Sequence, residues 1–87
     1  MKVNQDFILR EVAGENFLIP LGQAALRIHG MIVMTESGVL LWKKLQTEQT
    51  IESLTESLLE EYDVDRQTAQ KDVTEFIEKM YQIGILE

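Results

Sequence analysis

The segment GMIVMTESGVLLW, residues 30 to 42, decides the fold because it joins a strand to a helix with no loop between them. Residues 31 to 34 form an unbroken apolar run, which is typical of a strand covered on both faces. Thr35 follows at once, and its hydroxyl can cap a helix whose first turn is favoured by Glu36. An apolar stripe continues this helix to about Leu45. The segment therefore predicts a short strand that switches directly into a helix.

The residues before this segment predict a β-hairpin. Residues 7 to 12 and 17 to 21 are rich in aliphatic and aromatic side chains, and AGEN, residues 13 to 16, predicts the turn between them. Pro20 cannot donate a ladder hydrogen bond, so the second strand either ends there or has a free edge there. The connector that follows admits a short helical turn at residues 24 to 26.

Two more helices are predicted after this segment. Thr50 can cap the second helix, which ends near Tyr62, and Asp65 can cap the third. The third helix has a sustained apolar face and stops at Gly84, so it would be about 28 Å long. Residues 85 and 86 are expected to fold back as a last apolar anchor. The element order predicts an α+β fold, in which a three-stranded antiparallel sheet packs on a three-helix bundle as one domain of residues 1–87.

Charge and composition exclude several function classes. The net charge is −7, and residues 48 to 87 alone carry −8, so the chain should repel a phosphate backbone and bind no nucleic acid. There is no cysteine, which excludes disulfides and thiolate metal sites. No apolar run is long enough to span a membrane, and the first residues do not resemble a signal peptide. We therefore expect a cytoplasmic protein with no membrane partner.

Catalysis is not expected. His29 is the only histidine, and no phosphate-binding loop or cluster of metal-ligand residues accompanies it. The acidic group Glu56, Glu60, Glu61 and Asp63 lacks calcium-loop spacing, so it is interpreted as a solvated helix face. The sequence predicts a protein without catalytic residues, metal or cofactor.

Two other classes of protein are alternatives. Ser53 near a helix start, before LLEEYDV, resembles the serine that carries the prosthetic arm in acyl or peptidyl carrier proteins. The strand-rich first third does not suit a four-helix carrier, however, and Ser53 lies too close to Tyr62. A winged-helix DNA-binding protein is the second alternative, but the outward side chains of the third helix are mixed in sign, where major-groove readers carry more Arg and Lys.

The strand at residues 31 to 34 favours a peptide-binding module. An edge strand offers unpaired backbone groups to another chain, and residues 31 to 34 contain none of the Lys, Pro or bulge features that usually protect such an edge. An extended peptide could add to this strand in a groove against the third helix. The alternative is that the strand is the middle member of the sheet and is fully paired.

The sequence resembles the PqqD family. The similar segments are IPLG at 19 to 22, GMIVMTESGVLLWKKL at 30 to 45, TIESLTESLLEEYDVD at 50 to 65 and TAQKDVTEFIEKMYQIGILE at 68 to 87, nearly the whole chain from about Phe7. The resemblance implies a winged-helix-like recognition domain for the leader segment of a ribosomally synthesised, post-translationally modified precursor peptide. It also implies a modifying enzyme as partner, often a radical S-adenosylmethionine protein, to which the domain presents the precursor. The oligomeric state stays open, because an exposed edge strand can equally pair with a second copy of the chain as a homodimer.

The resemblance also assigns candidate site residues by position. The peptide-binding residues would be Met31, Ile32, Val33 and Met34 on the strand, with Asp72, Phe76, Lys79 and Met80 on the third helix. Asp72 could pair with a leader Lys or Arg, while Phe76 and Met80 could line an apolar pocket. The opposite flank of the helix, with Gln70, Ile77 and Tyr81, is the alternative. Met34-Thr35 stands where the family commonly has Leu-Asn, and Thr retains the capping function.

Overall fold

The computed structural model describes residues 1–86 and contains three strands and four helices. In chain order these are β1 (Phe7–Val12), β2 (Glu15–Pro20), α1 (Gly22–Arg27), β3 (Ile32–Met34), α2 (Glu36–Lys44), α3 (Ile51–Glu61) and α4 (Arg66–Gln82). The strands form one antiparallel sheet in the order β1-β2-β3, and α2, α3 and α4 pack together beside it. The predicted α+β fold is therefore confirmed. Its third predicted helix is α4, and the short helical turn that the connector admits at residues 24 to 26 is present as part of α1.

The β1–β2 hairpin is tighter than the sequence predicts. Its turn is only Ala13-Gly14, and both residues have positive φ, 53° and 82°. This is the geometry of a type I′ turn, which joins strands through two residues, so Glu15 already pairs with Val12 and the predicted four-residue turn is wrong. The second strand ends at Pro20, which has no backbone N–H to donate, as one of the two predicted alternatives required.

The core lies between the inner face of the sheet and the three longer helices. On the sheet side, Phe7, Leu18 and Met34 are buried, and Trp42, Leu54 and other apolar residues of the helices meet them. Burial of each large apolar side chain contributes about 1.5–3 kcal/mol to the stability of the fold. None of the helices described within residues 1 to 86 is long and apolar enough to cross a bilayer.

The two ends of the described chain are held together. The C-terminus of α4 closes with a Schellman pair of hydrogen bonds, in which the N–H of Ile85 donates to Met80 and that of Gly84 to Tyr81. Val3 pairs with Leu86 as an isolated bridge, and Val3 and Ile85 are both buried. The predicted apolar anchor at residues 85 and 86 is confirmed.

Candidate peptide-binding groove

β3 is an edge strand, so the alternative that it lies in the middle of the sheet is wrong. One edge of β3 pairs with β2 through the register Asn16↔Met34, Phe17↔Val33 and Leu18↔Ile32. Within residues 1 to 86, no strand pairs with its other edge, which we call the open edge. The strand is short because Thr35 ends it, accepting a 3.1 Å hydrogen bond from the N–H of Gly38 as the N-cap of α2.

The hairpin geometry determines which residue of β3 presents its backbone to the open edge. In an antiparallel pair, hydrogen-bonded and non-hydrogen-bonded residue pairs alternate. The two-residue turn makes Val12 and Glu15 a hydrogen-bonded pair. Every second pair along the hairpin is then hydrogen-bonded, and the N–H of Leu21, which donates to the carbonyl of Asp6 at 2.7 Å, fits this alternation.

This alternation carries over from β2 to β3. Asn16 and Leu18 do not bond to β1, so they bond to Met34 and Ile32. Val33 lies between these two residues, and its N–H and C=O therefore both point to the open edge. Val33 thus offers both a backbone donor and a backbone acceptor to an added strand.

The side chains of β3 alternate between the core and solvent. Met34 is buried at 7% exposure, Ile32 is half-buried, and Val33 is 67% exposed on the outer face of the sheet. The apolar run that suggested cover on both faces is therefore covered on one face only. Met31 precedes the strand, is 56% exposed, and is not part of the groove.

A shallow groove lies between β3 and α4. It has a volume of about 80 Å³ and is lined by Ile32, Val33, Met34, Thr35, Gly38, Phe76, Lys79 and Met80. Six of the eight residues expected at the site thus meet here, while Met31 and Asp72 lie outside it. Met80 is buried and also belongs to the core, whereas Phe76 is half-buried and Lys79 is exposed.

Two groove residues were missed by sequence reasoning. The sequence indicates a role for Thr35 only as a helix cap and gives no separate role to Gly38. A β-carbon at Gly38 would lie 3.1 Å from the hydroxyl oxygen of Thr35 and 3.4 Å from the ring of Phe76. Gly38 therefore lets α4 approach the β3–α2 junction. A glycine in the first turn of a helix, where alanine is favoured by about 1 kcal/mol, was the available indication of this close approach.

Asp72 lines a larger neighbouring cavity instead. This second cavity has a volume of about 300 Å³ and is lined by Thr35, Glu36, Ser37, Leu58, Tyr62, Val64 and Asp72. Thr35 lines both spaces, so the two are adjacent at the start of α2. Tyr62 and Val64 are both partly exposed there, and they were not predicted because they follow α3 rather than lying on a helical stripe.

The opposite flank of α4 does not contribute to the groove in the described part of the chain. Ile77 is buried in the core, and Tyr81 is exposed elsewhere on the helix. Gln70 is exposed and faces α3 beside Thr55 and Arg66. The structure thus places the flank of Phe76, and not that of Ile77, against β3.

The features behind the two alternative functions have structural positions of their own. Ser53 is the third residue of α3, and its hydroxyl accepts from the N–H of Thr50 at 2.9 Å and donates to the side chain of Gln49 at 2.7 Å. It completes a capping box, and the sheet differs from the four-helix fold of carriers. The exposed face of α4 that a DNA reader would use carries Lys71 together with Glu75 and Glu78.

His29 is exposed between α1 and β3, and Glu56 of the acidic group pairs with Arg66. Among residues 1 to 86, no group of three or more His, Asp and Glu side chains is placed to hold a metal ion.

The fold and the groove define a winged-helix-like α+β domain whose sheet has an open edge beside its longest helix. The chain belongs to the PqqD family, because the family model described as coenzyme PQQ synthesis protein D matches residues 22–86. This match includes β3 and all of α4 but not the β1–β2 hairpin, so it is shorter than the resemblance from Phe7 onward.

One solved structure shares the whole fold. It is that of TbiB1 in complex with the TbiA(beta) leader peptide, with a TM-score of 0.78 and 22% sequence identity. The similarity covers 100% of this chain and 95% of that chain, so it includes the hairpin. No curated protein matches the chain in sequence.

Proposed function

We propose that the protein binds the leader segment of a ribosomally made precursor peptide as a fourth strand on the open edge of β3. The observation that carries the proposal is the orientation of the Val33 backbone, whose N–H and C=O both point to this edge. Main-chain hydrogen bonds would supply affinity, and alternate side chains of the peptide would enter the groove against Phe76. The family membership and the fold shared with a leader-peptide complex support the same function.

The domain would present the bound precursor to a modifying enzyme and perform no chemistry itself. We propose a radical S-adenosylmethionine protein as this partner, with its iron–sulfur clusters held by the partner alone. Surface plasmon resonance with a candidate modifying enzyme, with and without leader peptide, tests this step. Binding of enzyme and leader in one ternary complex is expected, and mutually exclusive binding would contradict presentation.

Amide hydrogen exchange tests strand addition at single-residue resolution. In the free protein, the amide of Val33 should exchange faster than those of Ile32 and Met34, because only the latter two bond to β2. The leader encoded by a neighbouring short reading frame should protect Val33 selectively. Protection that fails to appear at saturating peptide would contradict strand addition.

Val33→Pro provides the matching mutation. Proline removes the N–H that the peptide needs, and the fold should tolerate it because this N–H is not part of the β2–β3 ladder. Loss of one hydrogen bond worth about 0.5–1.5 kcal/mol predicts an affinity about 2- to 13-fold lower by calorimetry. Val33→Thr keeps the N–H and the branched side chain, so it is the matched control and should bind like the wild type. Equal affinities of the two variants would contradict the proposal.

Pairing of β3 with β3 of a second copy is a competing use of the open edge. Light scattering during size-exclusion chromatography distinguishes the two. If a homodimer uses this edge, the leader peptide and Val33→Pro should each shift the protein to a monomer.

A further inference from the structure

The groove continues past the end of β3 into the second cavity. Thr35 lines both spaces. On α4, Met80 and Phe76 line the groove, and Asp72, one turn closer to the N-terminus of the helix, lines the cavity. A strand added to β3 would therefore lead directly into the cavity at the N-terminus of α2. The cavity is large enough for a long side chain and has apolar walls at Leu58, Tyr62 and Val64.

The two ends of this continuous surface carry opposite charge. Lys79 lies in the groove, whereas the carboxylates of Asp72 and Glu36 line the cavity. Asp72 and Lys79 are seven residues apart on one helix, which corresponds to about 10 Å along its axis. Phe76 and Met34 lie between these charged ends. The surface is thus acidic, apolar and basic in that order.

We infer that the bound strand carries a basic residue four positions before an acidic residue, with an aliphatic residue midway between them. This inference rests on the proposed function and specifies its ligand. In an extended strand, alternate side chains share a face, so the basic, aliphatic and acidic residues would all point into the groove. Four strand residues span about 13 Å. This length matches the separation of Asp72 and Lys79 once the peptide side chains extend toward them. The aliphatic residue at the middle position would enter the apolar part of the groove beside Phe76.

The direction of the peptide follows from the sheet. Both existing strand pairs are antiparallel, and an antiparallel ladder is the more stable arrangement per residue. β3 runs from Ile32 toward Thr35, so an antiparallel peptide enters at the cavity and leaves beside Lys79. The basic residue is therefore on the N-terminal side, and the ligand pattern is basic-x-aliphatic-x-acidic.

The cavity suits a Lys or Arg side chain more than a neutral one. The long aliphatic stem can lie against Tyr62 and Val64, which are both partly exposed, while its charged end remains near solvent beside Asp72 and Glu36. Opposite charges across such a contact favour one orientation of the ligand and disfavour the reverse through like-charge repulsion. The same surface therefore selects both the composition and the direction of the peptide.

Selection from a displayed library of random peptides of about twelve residues tests the inference with the whole protein. Each exposed ion pair changes affinity by about 1.5- to 5-fold, and the reversed order converts two attractions into two repulsions. We expect peptides with the basic-x-aliphatic-x-acidic pattern to be enriched about tenfold over peptides with the charges exchanged. The enrichment should decrease when the selection is repeated at 1 M salt.

A charge exchange in the protein supplies the decisive comparison. The double variant Asp72→Lys with Lys79→Glu should enrich the opposite order, acidic-x-aliphatic-x-basic. Lys71→Glu with Glu75→Lys makes an equivalent exchange on the exposed face of α4 and should select the same peptides as the wild type.

The outcomes separate this inference from the proposed function. The inference would be overturned if the enriched peptides showed no charge order, or if the double variant selected the same order as the wild type. In either case, strand addition would still be supported if Val33→Pro no longer bound those peptides. If the wild type enriches no peptide and also fails to bind the leader, both are overturned.

Discussion

At the scale of single residues, the proposed strand addition depends on Val33. Its side chain contributes little to the core, because it is exposed on the outer face, and its value lies in two backbone atoms. The strand and its lack of edge protection could be predicted from residues 31 to 34. The identity of the outward-pointing residue could not, because it depends on hydrogen-bond alternation that begins at the two-residue turn Ala13-Gly14.

Substitution of Gly38 tests whether the peptide reaches the floor of the groove. Gly38→Ala gains helix propensity, but its new methyl group crowds the Thr35 hydroxyl and the Phe76 ring. The opposing effects should leave the free energy of unfolding within about 1 kcal/mol of the wild type. Because the methyl group fills the floor of the groove, leader affinity measured by calorimetry should fall. A folded variant with unchanged affinity would show that the peptide does not reach this floor.

At the scale of elements, α4 contributes to the core and to the candidate groove on adjacent faces. Val73, Ile77 and Met80 belong to the core, while Phe76 and Lys79 line the groove. The sequence predicted this helix and its caps, but its apolar stripe is wide enough to include Phe76 and Ile77 together. Periodicity could not decide which flank faces β3, because that is determined by how the helix packs on the rest of the fold.

The Asp65 cap at the start of α4 predicts that the stability of the fold depends on pH. The N–H of Thr68 donates to the Asp65 carboxylate at 2.7 Å, and hydrogen bonding from Thr68 lowers the pKa of Asp65. A lowered pKa means that the charged carboxylate stabilises the folded state above the unfolded pKa of about 3.9, and this stabilisation is lost as the pH falls through the folded value.

Asp65→Asn keeps a capping oxygen but does not titrate, so its free energy of unfolding should fall less than that of the wild type upon acidification below about pH 4. Urea denaturation at a series of pH values measures the difference. Asp63→Asn removes the same charge outside the cap and should retain the wild-type profile. Parallel profiles of all three proteins would contradict the assignment.

At the scale of the whole molecule, the hydrophobic core and the peptide groove share residues. Met34 and Met80 belong to both, so the candidate binding groove is built from the side of the core. The layered α+β fold could be predicted from element order and apolar periodicity. The second cavity could not, because Tyr62, Val64 and Asp72 come together only when α2, α3 and α4 are packed.

The pairing of the two chain ends predicts a global effect on stability. Val3 is buried at 1% exposure, and its N–H donates to the carbonyl of Leu45 at 2.9 Å. Val3→Ala should lower the free energy of unfolding by about 1–3 kcal/mol through lost burial and an added void. Val12→Ala removes the same atoms from a side chain that is 55% exposed, so its effect should remain within about 0.5 kcal/mol. Chemical denaturation compares the two, and equal losses would contradict the assigned role of Val3.

The Val3–Leu86 bridge has a consequence for protein engineering. Because these residues pair directly, the described chain enters and leaves the domain at neighbouring points, and neither residue lines the groove. The domain can therefore be inserted as a cassette into a surface loop of another protein without stretching the loop. If the proposed function holds, such a fusion would bring the open edge and its bound peptide to a chosen enzyme through two adjacent splice points.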